Sequence, residues 1–223
     1  MTGTIVNAGA IVAGSLIGLA AGGRIPERVK TILMQALGLS TLIIGLQMAL
    51  SAREIIPIVG SLLLGALTGE LLRIEDGLER VGRWLKKWAR SDSTTFVTGF
   101  VTTSLLYCTG AMVVVGAIQD GTTGNATTLY IKAMLDGVAS IAFASTLGIG
   151  VLFSAASVFL VQGSITALSA NLVFLQQPAV LGPVTSAGGL LIIAIAINLL
   201  NLTKIPIGNF LPALFYAVLF AMM

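Results

Sequence analysis

Residues 4–22 read TIVNAGAIVAGSLIGLAAG. None is charged, and only Thr4, Asn7 and Ser15 carry a polar side chain. A helix rises 1.5 Å per residue, so about 20 such residues cross the ~30 Å hydrocarbon layer of a bilayer. A secretory leader would place basic residues before its apolar stretch. Here the first Lys or Arg is Arg24, after it, so the segment reads as a permanent span.

Working outward, the same pattern recurs at 31–50, 55–72, 95–117, 129–149, 151–171, 187–203 and 207–223, which makes about eight spans. Composition agrees. Of 223 residues, 56% are hydrophobic and 9% charged, and mean hydropathy is +1.01. Soluble domains carry about 25% charged residues, and a water-soluble fold could not hide this much apolar surface. The expected fold is an all-α, polytopic transmembrane helical bundle, forming a single transmembrane domain over 1–223. Residues 129–175 carry no charge after Asp136 and are too long for one crossing. A turn is therefore expected at Gly148 and Gly150.

Basic residues cluster after spans one (Arg24, Arg28, Lys30), three (Arg73 to Arg90) and seven (Lys204). Eight spans put all three clusters on one side. The other side carries Arg53 and the Lys-free loop QDGTTGNATT, residues 119–128. The positive-inside rule then places the basic loops in the cytoplasm, both termini outside, and the chain in a bacterial inner membrane. Residues 73–90, RIEDGLERVGRWLKKWAR, are not a span. Ile74, Leu78, Val81, Leu85 and Trp88 share one helical face and basic residues cover the rest, as in an interfacial amphipathic helix meeting anionic lipid headgroups. Asp76–Arg80 and Glu79–Arg83 add i,i+4 support.

Small residues recur every four positions: Ala10, Gly14, Gly18 and Gly22; Thr41, Gly45 and Ala49; Ser61, Gly65 and Gly69; Ser140, Ala144 and Gly148. Such stripes let helices approach closely in lipid, and one of them is also a candidate homodimer face. Arg24-Ile25-Pro26 and Lys204-Ile205-Pro206 occupy matching positions in two span–turn–span segments, either as a repeat or as a shared solution for a hairpin turn.

The polar content concentrates in residues 99–137, GFVTTSLLYCTGAMVVVGAIQDGTTGNATTLYIKAMLDG. Unpaired polar groups cost several kcal/mol in hydrocarbon, so Ser104, Tyr107 and Cys108 must face protein or water. Gly110 and Gly116 are points where the helix can loosen, and Gln119-Asp120-Gly121 closes the span. Lys132 and Asp136 lie one turn apart in span five. An ionisable residue at that depth is a functional-site hypothesis, set against simple i,i+4 pairing and outward snorkelling of Lys132. Asn7 and Asn198 lie near small-residue faces. Glu70 is expected to pair with Arg73. Residues 176–189, QQPAVLGPVTSAGG, read as an outer loop or a re-entrant segment.

With no His and one Cys, neither a disulfide within the chain nor a His- or Cys-built metal site is expected. No cofactor or nucleic-acid partner is expected either. GxSxG, HExxH and P-loop patterns are missing, and nothing assembles a base or oxyanion hole around Ser104 or Cys108, so the expectation is not an enzyme.

The words SLLYCTGAM, VVGAIQDG, KAMLDG and GIGVLFSAASVFLVQGSIT, with the opening GTIVNAGAIVAGSLIGLAAG and the later KIPIGNFLPAL, carry a resemblance over essentially the whole chain. It is similar to the bacterial membrane family known as domain of unknown function 554. The resemblance implies a core built from span four, the following loop and span five, with no activity attached. The functional expectation is a transporter or channel-like permease for a small polar or cationic solute. Asp136 and Asp120 would take the cation, with Ser104, Tyr107 and Asn7 as hydrogen-bonding groups and Lys132, Gln119, Cys108 and Asn198 as further candidates. The competing expectation is a non-transporting scaffold or sensor acting through residues 73–90.

Overall fold

The computed structural model describes residues 1–52 and 54–223; Arg53, assigned above to the outer side, lies outside the described residues. Among the described residues the chain is helical throughout and has no strand. The helices are α1 (Thr2–Gly22), α2 (Glu27–Ala49), α3 (Ile55–Leu72), α4 (Ile74–Trp88), α5 (Phe96–Cys108), α6 (Ala111–Thr123), α7 (Thr127–Leu147), α8 (Gly150–Ala167), α9 (Pro178–Leu199) and α10 (Pro212–Ala221). Short 3-10 turns occupy Ser169–Asn171, Val173–Gln176 and Ile207–Phe210.

Five helices (α1, α2, α3, α8 and α9) are long and apolar enough to cross a membrane. A sixth crossing is added if α5 and α6, which meet at 63°, form one broken span. Large apolar side chains such as Ile17, Ile43, Leu67 and Val138 lie on the outside. Buried positions are often small or polar: Gly14, Gly18, Ser140 and Asn7 among them. Lipid, not water, suits that arrangement.

Helix ends follow local chemistry. Gly148 has φ 79°, a left-handed conformation that costs glycine little, and it ends α7 where the sequence called for a turn. Gly110 has φ 140° and separates α5 from α6. Span four is therefore two helices rather than one. Its second half runs on to Thr123, with the Thr122 and Thr123 hydroxyls donating back to the carbonyls of Ile118 and Gln119. Gln119 and Asp120 thus belong to a helix, not to a closing loop. Residues 178–189 are likewise helical. Pro178 occupies the first turn of α9, where its missing N–H has no cost. The helix expected from residue 187 starts at Pro178, so residues 178–189 are regular helix and only Gln176 and Gln177 of that segment precede it.

The helices cluster into two compact units. The first comprises residues 1–34, 79–108 and 112–173. Its centre is the packing of α1 on α7 and α8, with α5 on α8. Here two predicted small-residue stripes pack on each other. A Cβ added to Gly14 would lie 2.1 Å from the Gly137 carbonyl oxygen, and one on Gly18 would lie 2.3 Å from that of Ile141. The second unit comprises residues 35–78, 109–111 and 174–223. In it α10 packs on α3 and α9. Gly65 abuts Ala213, Gly69 abuts the Asn209 carbonyl, and Gly45 meets the Gly189 carbonyl and Ile193. These glycine positions are packed against the chain's own helices.

Candidate functional site

The polar cluster lies in the first unit, where α1, α7 and α8 supply side chains from their small-residue faces. Small neighbours let α1 and α7 come close enough for a short amide to span the gap. Asn7, fully buried on α1, donates through Nδ2 to Asp136 Oδ2 on α7 and to Gln162 Oε1 on α8, both at 3.1 Å. Gln162 Nε2 donates to Thr4 Oγ1 at 3.1 Å, and Thr4 lies 3.3 Å from Thr166 Oγ1. Lys132 and Asp136 form a buried ion pair one turn apart on α7. The Lys132 ammonium also sits over the Tyr107 ring, 5.8 Å from its centroid. The Tyr107 hydroxyl in turn pairs with Ser140 Oγ at 2.9 Å.

This arrangement is an internally neutral ion pair inside a hydrogen-bonded sleeve. Removing either charge strands the other in low dielectric, which costs several kcal/mol. The sleeve is not fully saturated, because Asn7 Oδ1 is buried with no hydrogen-bond partner. Its nitrogen faces two acceptor oxygens, so the amide orientation is fixed by its neighbours.

Four of the residues singled out from sequence come together here: Asn7, Tyr107, Lys132 and Asp136. Lys132 does not snorkel outward; it is 6% exposed. Cys108 also lies near the pair, and the remaining candidates lie elsewhere. Asp120 is buried one turn earlier along α1, where Oδ2 accepts from Gly3 N at 3.1 Å and the Met1 nitrogen lies 3.0 Å away. Gln119 accepts from Thr128 Oγ1 at 2.8 Å, and Ser104 donates to Ser157 Oγ at 2.8 Å. Cys108 is a half-buried free thiol within electrostatic reach of Lys132 and Asp136. Asn198 belongs to the second unit, where its amide closes both ends of a turn with Ile205 N and O at 2.8 Å each. Glu70, expected beside Arg73, instead accepts from Asn209 Nδ2 at 2.7 Å. Thr4 and Thr166 were not among the site candidates, while Gln162 reads from sequence as a buried amide suited to bonding between helices, which it does. The signal for Gln162 was a single amide in the apolar run VFLVQGSIT; the two threonines gave none.

Among the described residues no cluster of three or more His, Cys, Asp or Glu side chains could hold a metal ion. What the geometry offers is a carboxylate, an aromatic face and amide groups around one ammonium.

Apolar helices of spanning length around a small-residue and polar interior define an all-helical membrane protein. The chain belongs to the family described as "Protein of unknown function (DUF554)", whose profile matches residues 2–222. It is 28% identical over 223 residues to the uncharacterized protein YqgA of Escherichia coli K12, covering 97% of this chain and 94% of that one. It is 31% identical over 218 residues to the uncharacterized membrane protein YdfK of Bacillus subtilis 168, covering 96% and 93% respectively. No solved structure matches it.

Proposed function

We propose that the protein is a small permease for a small polar or cationic solute, with Asp136 as the binding carboxylate. The observation that carries this reading is the buried Lys132–Asp136 pair joined to α1 and α8 through Asn7 and Gln162. Charges at such depth are expensive and mark solute or proton paths in membrane proteins. The break between α5 and α6 supports the same reading, since discontinuous helices recur at transporter sites.

In this reading α7 and the apolar stretch Ile207–Ala221 also cross, which brings the count to eight with the α5–α6 pair taken as one. The basic loops then face the cytoplasm of a bacterial cell and both termini lie outside. The conformation described here is the closed one, with Asp136 held by Lys132 and Asn7.

The test is flux of alkali ions, amino acids and polyamines into proteoliposomes holding the purified protein. Movement of one of these solutes, lost in Asp136→Asn, is the expected result. If none moves, and Asp136→Asn leaves the cell unaffected, the permease reading fails.

A second reading rests on two different observations: the site groups are mutually paired, and α4 carries an exposed edge. Gly82 packs on Val97 and Phe100, while Val81, Trp84 and Trp88 remain exposed beside Arg80 and Lys87. That edge suits the interface of a membrane containing anionic lipid, and makes α4 the working part of a scaffold or sensor. Under this reading, removing residues 73–90 from a correctly inserted protein abolishes its cellular effect and Asp136→Asn does not.

A further inference from the structure

Resting on the permease reading, we infer that the solute is a primary alkylammonium ion, and that the Lys132 side chain is its built-in competitor. The site that holds the Lys132 ammonium is already a site for a cation bearing N–H donors. Asp136 Oδ2 gives a full negative charge. The Tyr107 ring lies beneath the ammonium, and an aromatic face attracts a cation whatever molecule carries it. Asn7 adds an acceptor that nothing uses: its Oδ1 is buried and unpartnered, although its Nδ2 is held firmly by Asp136 and Gln162. A buried acceptor left without a donor is costly, and a second donor arriving beside Asp136 would relieve that cost.

Lys132 reaches Asp136 on a flexible four-carbon stem from one turn away on the same helix. A free ammonium that takes its place keeps the Asp136 carboxylate paired, and the exchange requires the displaced Lys132 ammonium to reach water on its stem. The selectivity follows from the contacts. A primary ammonium offers three N–H groups to oxygen acceptors, and a quaternary ammonium offers none. A tethered competitor acts at an effective concentration of millimolar or more, so deleting it should tighten binding of the free ion by at least about tenfold.

The experiment uses the full chain in lipid nanodiscs, with methylammonium as probe and tetramethylammonium as control, at constant ionic strength set with sodium chloride. Binding is read as the rise in thermal unfolding temperature with probe concentration. Wild type, Lys132→Ala, the volume-conserving Lys132→Met and Asp136→Asn are compared. The expected result is that methylammonium stabilises wild type, and stabilises a Lys132 variant at concentrations at least tenfold lower. Asp136→Asn should not respond, and tetramethylammonium should do nothing. The inference is overturned if wild type shows no response, if both ions act alike, or if Asp136→Asn responds as wild type does. It is also overturned if only the Lys132 variants respond, because that is simple filling of a hole by a structural ion's substitute. Should neither Lys132 variant fold, the wild-type and Asp136→Asn titrations with the two ions decide the matter. Methylammonium binding without flux of any solute would refute the permease reading alone. Flux of another solute without methylammonium binding would refute this inference alone.

Discussion

Replacing Gly14 by alanine adds one methyl group where α1 meets α7. The added Cβ would lie 2.1 Å from the Gly137 carbonyl oxygen, 3.0 Å from the Gly137 carbonyl carbon and 3.2 Å from Ser140 Cβ. The nearest obstacle is backbone, which cannot rotate away as a side-chain tip can. Ordinary contact begins near 3.4 Å, so the two helices must part locally by more than about 1 Å. A gap of 0.5–1 Å already forfeits a quarter to a half of a dispersion well of ~0.1–0.2 kcal/mol. Spread over the contacts of the seam, the loss falls in the usual ~1–3 kcal/mol of overpacking. Gly9, on the same helix with nothing within 4 Å of an added Cβ, is the matched control. Gly9→Ala should be neutral or slightly stabilising, because alanine orders a helix at less entropic cost. The assay is reversible denaturation of the reconstituted protein by SDS in lipid micelles, comparing both variants with wild type. If Gly14→Ala and Gly9→Ala shift the transition equally, the glycine seam does not hold α1 to α7 and the reasoning is wrong.

Three further outcomes are expected. Asn198→Ala removes the amide that serves both Ile205 N and O, and should cost ~1–3 kcal/mol of stability in the same denaturation assay, while leaving any Asp136-dependent flux intact. Gly148→Ala forces a side chain into φ 79° and should cost ~1–2 kcal/mol; Gly77→Ala on α4, with open space around it, should cost less than half of that. Charge reversal at Arg80 and Lys87 should weaken binding of a peptide spanning residues 73–90 to vesicles containing phosphatidylserine, by ~1 kcal/mol per residue replaced; tryptophan fluorescence from Trp84 and Trp88 reads the binding, and an unchanged affinity would count against α4 as an anionic-lipid anchor.

Much of the architecture was legible because lipid imposes simple demands. Apolar length marked the five helices long and apolar enough to cross, against about eight spans expected, and four-residue spacing of small side chains marked the stripes that do pack together, such as Gly14 and Gly18 on α7. Gly148 was readable as a break because a long apolar run had to turn somewhere. The ends of elements were harder. Residues 178–189 look like a loop by their two prolines, yet Pro178 sits where a helix tolerates it and the segment folds into α9. The α6 helix outruns its apolar stretch and takes in the polar residues Gln119 to Thr123, which read as loop by residue type alone. At the candidate site, Asp136 and Lys132 announced themselves by charge and Asn7 by its neighbours. Thr4 and Thr166 did not, since a buried polar side chain gains meaning only from a partner more than 100 residues away. Ser104, Gln119 and Asn198 carried the same outward signal as Asn7; Gln119 and Asn198 serve partners within ten residues, and Ser104 bonds Ser157 on α8.

The bond from Asn7 to Asp136 joins residues 129 apart in the chain, and the one to Gln162 joins residues 155 apart. A ribosome working at ~5–20 residues per second finishes α1, at Gly22, roughly 6–23 seconds before it reaches Asp136. Through that interval the Asn7 amide has none of its final partners, and it sits on a helix that is otherwise ready to enter lipid. The order of synthesis therefore makes α1 a helix that must wait, held by the insertion machinery or by a temporary neighbour, until α7 and α8 arrive to close around it. The same side chain that completes the finished core sets the schedule on which that core can be assembled.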